Sequence, residues 1–150
     1  MKAYEQKDVC NAADIEPATL RNWIVRGLIE PAFPAEGKGS RTRYDTSDLM
    51  TCVALARLVD LGLAPGTAAD LARAVGEDAS AYLLRHRPGV VSAGFDDQAG
   101  RLYWRNTEHG WQWSTEPDWT TPTIALDSHA LARQAVERLT GFDFDNTENG

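Results

Sequence analysis

Cysteine, histidine and long apolar runs are all scarce in this sequence of 150 residues. No apolar stretch approaches the ~20 residues that a membrane-spanning helix needs. The first ten residues, MKAYEQKDVC, lack the apolar centre of an export signal. We therefore expect a cytoplasmic protein without a membrane partner, in which Cys10 and Cys52 are buried thiols rather than a disulfide.

Residue patterns that would indicate an enzyme are also missing. The three histidines, His86, His109 and His129, are scattered and do not have metal-ligand spacing. No phosphate-binding loop, nucleophile elbow or paired acid and base stands out. We expect neither catalysis nor a bound metal or other cofactor.

The net charge of −7 argues at first against a nucleic-acid partner. However, residues 1–45 contain seven basic and seven acidic side chains, so residues 46–150 carry the whole negative excess. Binding to DNA needs a local basic face rather than a basic protein. The first part of the chain therefore remains a candidate for DNA binding.

Residues 15–30, IEPATLRNWIVRGLIE, have the pattern of one short amphipathic helix. Pro17 suits the first turn, where its missing N–H costs nothing. Leu20 and Trp23 begin an apolar stripe at helical spacing, and Gly27 supplies a left-handed residue to end the helix.

The opposite side of this helix carries Arg21, Asn22, Val25 and Arg26. Arginine and asparagine can pair with base edges in the DNA major groove or hold phosphates. The alternative is an ordinary core helix with a charged face in solvent. Residues 5–13 predict a preceding short helix, joined by a tight turn at Asp14, which together give a helix-turn-helix.

Residues 31–44, PAFPAEGKGSRTRY, predict a loop or small hairpin. Lys38, Arg41 and Arg43 lie close together in it, and an extended segment would place the two arginines on one face. Hydroxyl side chains are interleaved with them: Ser40, Thr42 and Tyr44. This chemistry is typical of phosphate contacts, although a mobile basic loop is the alternative.

Three further helices are predicted over residues 45–61, 64–76 and 78–86. Asp45 or Thr46 can cap the first of them. We expect the second to end at Gly76, and Pro88-Gly89 to close this part of the chain.

The order and spacing of several segments make the chain similar to the MerR family of transcriptional regulators. The segments are Thr19-Leu20-Arg21, Arg26-Gly27-Leu28-Ile29, Arg43-Tyr44 followed by Asp48-Leu49, and Leu61-Gly62-Leu63. The resemblance covers roughly residues 4–75 and implies a winged helix-turn-helix that binds double-stranded DNA. It places Thr19 and Arg21 against DNA, and Arg41, Arg43 and Tyr44 on a wing that grips phosphate.

The residue pattern and the resemblance together give nine candidate DNA contacts: Thr19, Arg21, Asn22, Arg26, Lys38, Ser40, Arg41, Arg43 and Tyr44. The chain departs from the family after residue 76, where typical members have a long dimerising helix. Metal-sensing members carry cysteines there, and none follows Cys52.

Short extended runs replace helical patterns in the second half. They predict an antiparallel meander of three or four strands, followed by a helix that Asp127 or Ser128 caps and that ends near Leu139. The strands are expected at Val90–Phe95, Arg101–Arg105, Trp111–Ser114 and Thr123–Leu126.

Four of the five tryptophans lie within residues 104–119. They can form the core of the small sheet, a surface for self-association or a partner protein, or a pocket for a small effector. In the last case Glu108, Glu116 or Asp118 would be available to a cation.

The sequence thus predicts an α+β protein, with an N-terminal winged helix-turn-helix followed by a small antiparallel sheet and a C-terminal helix. The expected division is a DNA-binding domain at 1–76, a short helix or linker at 77–88, a Trp-rich domain at 89–141 and an acidic tail at 142–150. We expect a homodimeric, sequence-specific DNA-binding regulator. The alternatives are a protein-interaction module, such as an antirepressor or adaptor, and an excisionase-like architectural protein.

Overall fold

A computed structural model of the chain describes residues 2–85, 101–114, 116, 120 and 123–141. These residues form five helices and one three-stranded antiparallel sheet, the predicted α+β architecture. In chain order the elements are α1 (Gln6–Ala13), α2 (Pro17–Val25), α3 (Thr46–Asp60), α4 (Pro65–Arg85), β1 (Arg101–Thr107), β2 (Gly110–Ser114), β3 (Thr123–Asp127) and α5 (Ser128–Thr140). The strand predicted at 90–95 and the tail at 142–150 lie outside the described residues.

Local chemistry sets the turn between α1 and α2 and the end of α2. Asp14 adopts a left-handed backbone with φ of 56°, which aspartate tolerates better than most residues. Gly27 also has positive φ, and its N–H donates to the Ile24 carbonyl at 2.9 Å. The Leu28 N–H donates to the Trp23 carbonyl at 2.9 Å, which completes a Schellman end. The predicted helix-turn-helix is therefore confirmed.

Helix α3 begins with a reciprocal pair of aspartates. The Asp45 carboxylate accepts from the Asp48 N–H at 2.8 Å, and the Asp48 carboxylate accepts from the Asp45 N–H at 3.1 Å. Two of the N–H groups that a helix start leaves unpaired are satisfied in this way. The predicted cap at Asp45 is correct.

Helix α4 corrects two predictions, because it continues through Gly76 to Arg85. The short helix expected at 78–86 is its last part, and residues 77–85 of the expected linker are helical. Gly76 has a packing role instead: a Cβ atom there would lie 2.7 Å from the backbone nitrogen of Thr51. Glycine therefore permits α3 and α4 to approach closely.

The sheet has the strand order β2-β1-β3, which corrects the predicted meander. Both outer strands are antiparallel to β1, with Trp104 opposite Trp113 on one side and opposite Ile124 on the other. Strand β1 contributes Leu102 and Trp104 to the apolar core. The central position gives this buried strand a hydrogen-bonding partner along both edges.

This packing explains the positions of two of the tryptophans in the second half of the chain. Trp104 is 1% exposed, and Trp111 is half-buried against the same core. The core interpretation is therefore confirmed for Trp104. Trp119 and the side chain of Trp113 lie outside the described part of the chain.

Helix α5 packs against α4, α1 and α3. Its buried side, Leu131, Ala132 and Ala135, joins the core formed by the N-terminal helices. The side-chain amide of Asn11 donates to the Arg138 carbonyl at 2.8 Å, which ties the end of α5 to α1. Among the described residues, no helix combines the length and the apolar character required to cross a bilayer.

Candidate nucleic-acid interface

Helix α2 has one buried and one exposed side. Leu20 is fully buried and Trp23 is 4% exposed, so these two side chains fix the helix in the core. The polar side chains Arg21, Asn22 and Arg26 are exposed. The helix therefore presents two guanidinium groups and an amide away from the protein, in the arrangement that the apolar stripe predicts.

The loop over residues 31–44, called the basic loop below, is closed at its base by backbone pairing. Phe33 and Arg43 exchange two hydrogen bonds of 3.2 and 2.8 Å. At the tip, Gly37 and Gly39 both have positive φ, a conformation that favours glycine, so the chain reverses there around Lys38. Lys38 is exposed at the turn.

The two arginines of the basic loop lie on a common surface. Arg41 and Arg43 are exposed and line the same open cavity of about 700 Å³ together with Ser40. The Ser40 hydroxyl oxygen accepts from the Glu36 N–H at 3.1 Å, so it also shapes the loop. Glu5 lines the same cavity and offsets part of the positive charge.

Tyr44 is the candidate that the structure corrects. It is 2% exposed, and its backbone pairs with that of Tyr4 through hydrogen bonds of 2.7 and 3.0 Å. Burial raises the pKa of its hydroxyl to about 12, with a smaller effect from the nearby Cys52, Cys10 and Asp48. The ring belongs to the core, so Tyr44 is removed from the candidate contacts. Thr19 is half-buried at the edge of the exposed side of α2.

Helix α1 connects the region of the basic loop to α2 along the chain. Glu5, which precedes α1, lines the cavity with Arg41 and Arg43. At its other end α1 is joined to α2 by the turn at Asp14. Burial, and to a lesser extent the charge of Glu16, raise the pKa of Cys10 in α1, while Arg21 of α2 acts in the opposite direction.

The two thiols have no role at this surface. Cys10 and Cys52 are free and buried, as the sequence predicts. Burial raises the pKa of both thiols and keeps them in the neutral, unreactive form.

Asp48 positions the basic loop, a role that its place in the sequence does not indicate. Besides the Asp45 N–H, its carboxylate accepts from the Ala32 N–H at 2.8 Å, which fixes the start of the basic loop to α3. Burial raises the pKa of this carboxyl, and the two backbone hydrogen bonds oppose that shift. The sequence spacing shows the cap but not the loop contact.

We expect Asp48→Ala to lower the free energy of unfolding by about 1–2 kcal/mol, because two backbone N–H groups lose their acceptor. Hydrogen exchange at the Ala32 amide should become faster. Asp60→Ala is the control, since Asp60 makes an exposed ion pair of 3.4 Å with Arg57, and such pairs contribute little. Equal stability of the two variants would show that Asp48 does not anchor the loop.

Two short helices joined by a tight turn, with a polar exposed side on the second helix, define a helix-turn-helix protein. Residues 4–75 match the family described as MerR HTH family regulatory protein. Residues 4–75 therefore form a helix-turn-helix region of the MerR family of DNA-binding regulators. No curated protein matches the chain.

Proposed function

We propose that the protein is a sequence-specific transcriptional regulator that binds double-stranded DNA as a homodimer. The observation that carries this proposal is the exposed side of α2, where Arg21, Asn22 and Arg26 point away from a helix that Leu20 and Trp23 hold in the core. A helix about 10–12 Å in diameter fits the major groove, which is about 12 Å wide.

The basic loop would act as a wing on the flanking sugar-phosphate backbone. Lys38, Arg41 and Arg43 supply three exposed cations. Because cations beside a reading helix can contact the phosphates that border the groove, we infer that one duplex meets both surfaces. The remaining proposed contacts are Thr19 and Ser40 at the edges of these surfaces.

We expect a dimer because a single helix-turn-helix is small. A single module buries too little surface for tight specific binding, and two-fold pairing doubles the contact. We place the dimer interface in residues 89–141. Since the apolar side of α5 packs against the chain's own helices, we assign the interface to the sheet rather than to α5. Sedimentation of the full chain at micromolar concentration should give a dimer, and a monomer would contradict the proposed homodimer.

Binding to duplex DNA should depend steeply on salt. With ~3–4 phosphate contacts per subunit, affinity should fall on the order of 10³-fold between about 50 and 200 mM salt. Selection from a random duplex pool, followed by titration at several salt concentrations, tests specificity and salt dependence together. An affinity that does not change with salt concentration, or a pool from which no sequence is enriched, would contradict the proposal.

Arg43→Ala should weaken binding to all duplexes by a similar factor, because a phosphate contact carries no sequence information. In a dimer, the slope of log affinity against log salt should shrink by about two units. Arg73→Ala is the matched control, since it removes one exposed cation from α4, where Arg73 pairs with Asp70 at 2.6 Å. An equal loss in both variants would argue against a wing contact at Arg43.

A further inference from the structure

Val25 is the most exposed large apolar side chain in the described part of the chain, at 85%. It lies at the last position of α2, on the helix that carries the proposed DNA contacts. Single exposed apolar residues are common on protein surfaces and need no explanation by themselves. The position of Val25 relative to its neighbours is what makes it informative.

Ala18, Asn22 and Val25 form one exposed row along α2. Successive helical residues are rotated by 100°, so these three side chains fall within about 60° of one another. All three are exposed, and the buried Leu20 and Trp23 lie on the other side of the helix. This row is therefore the part of α2 that would lie deepest in a groove.

The charges on either side of the row indicate the kind of ligand that the row would contact. Arg21 lies on one flank of the row and Arg26 on the other, and both are exposed. An apolar side chain between two guanidinium groups suits a polyanion with an apolar group at its centre. The major groove has this character, because phosphates border it and the thymine methyl group projects into it.

We propose that Asn22 and Val25 select A·T pairs at neighbouring positions of the DNA site. Asn22 hydrogen-bonds N6 and N7 of an adenine, and the Val25 methyl groups pack on the C5-methyl of a thymine. The two residues are about 4.5 Å apart along the helix axis, close to the ~3.4 Å step between base pairs. This inference rests on the proposed entry of α2 into the major groove.

Base analogues that each lack a single chemical group of the base test the two contacts separately. A duplex site is selected with the full-length protein, and each thymine in it is replaced in turn by deoxyuridine, which lacks only the methyl group. At one thymine per half-site the wild-type protein should lose about fourfold in affinity, the value of one buried methyl group. Val25→Ala should bind the thymine and uracil duplexes equally well.

The adenine contact is tested in the same way with 7-deazaadenine, which lacks the N7 acceptor. The wild-type protein should lose about tenfold at one adenine, within the range for half of a bidentate pair. Asn22→Ala should be insensitive to that replacement. Leu61→Ala, which truncates another exposed apolar side chain, should keep the wild-type response to both analogues.

The outcomes separate this inference from the proposed function. If no duplex is enriched, both fall. If a site is enriched but the wild-type protein tolerates uracil at every thymine, or Val25→Ala still discriminates between the two bases, specific binding stands and the role of Val25 is refuted. If Asn22→Ala keeps its sensitivity to 7-deazaadenine, the adenine contact is refuted.

Discussion

Gly76→Ala is expected to destabilise the protein by about 3 kcal/mol, because the added methyl group has no room where α3 and α4 cross. The new Cβ atom would lie 2.7 Å from the backbone nitrogen and 2.8 Å from the Cα of Thr51, and closer still to its hydroxyl oxygen. Backbone atoms cannot rotate away, so the two helices must separate. Denaturation in guanidinium, followed by circular dichroism, measures the change directly.

Gly66→Ala is the matched control in the same helix. A Cβ atom at Gly66 would have no heavy atom within 4 Å. Alanine is a better helix former than glycine, so this variant should be more stable by about 0.5 kcal/mol. Opposite signs for the two substitutions would establish close packing as the role of Gly76. If both variants gain stability, the helices do not need a glycine at their crossing.

The wrong prediction at Gly76 has a physical origin. Glycine often ends a helix, and the regular apolar spacing of α4 is clearest up to Val75, so the local pattern favours a stop. The reason for the glycine is a contact with Thr51 in the preceding helix. A tertiary contact of this kind leaves no trace in the sequence on either side of it.

Features that depend on neighbouring residues were predicted correctly. Pro17 starts α2, Gly27 ends it, and Asp45 caps α3, because each acts on backbone groups within a few positions. The period of apolar residues also identified Leu20 and Trp23 as buried. The exposed side of α2 follows from that assignment, so its polar candidates could be predicted from sequence.

Tyr44 shows where prediction of the site fails. Its position after two arginines indicates a hydroxyl donor in a phosphate-binding loop. The structure instead pairs its backbone with Tyr4 and buries its ring beneath the loop's base. Pairing between segments so far apart is decided by the fold as a whole. The same limit applies to β1, since alternation predicts a strand but not which strands flank it.

Helix α5 connects the two halves of the chain. Its apolar spacing indicates a buried side but cannot identify the surface that covers it. That surface is the core shared by the N-terminal helices, where α5 packs against α4, α1 and α3. At its end, the Arg138 guanidinium donates to the Ala12 carbonyl at 3.3 Å and lies 3.8 Å from the Asp14 carboxylate. The C-terminal helix therefore contacts the turn that orients α2.

These contacts favour one cooperative folding unit over a separate domain at residues 1–76, and Ala135→Asp tests this. Ala135 has no exposed surface, so an aspartate there would bury an unpaired charge at a cost of about 3 kcal/mol or more. We expect the amides of α1 and α2 to lose hydrogen-exchange protection together with those of α5, because removing α5 uncovers their shared core.

Gln134→Asp introduces the same residue at the adjacent, exposed position of α5. Because its side chain stays in solvent, it should change stability by no more than about 0.5 kcal/mol. Both substitutions add one negative charge, so the comparison separates the effect of burial from the effect of net charge. If the amides of α1 and α2 keep their full hydrogen-exchange protection in Ala135→Asp while those of α5 lose theirs, the helix-turn-helix folds independently of α5. In that case the contact between Arg138 and the turn would contribute little to holding α2 in place.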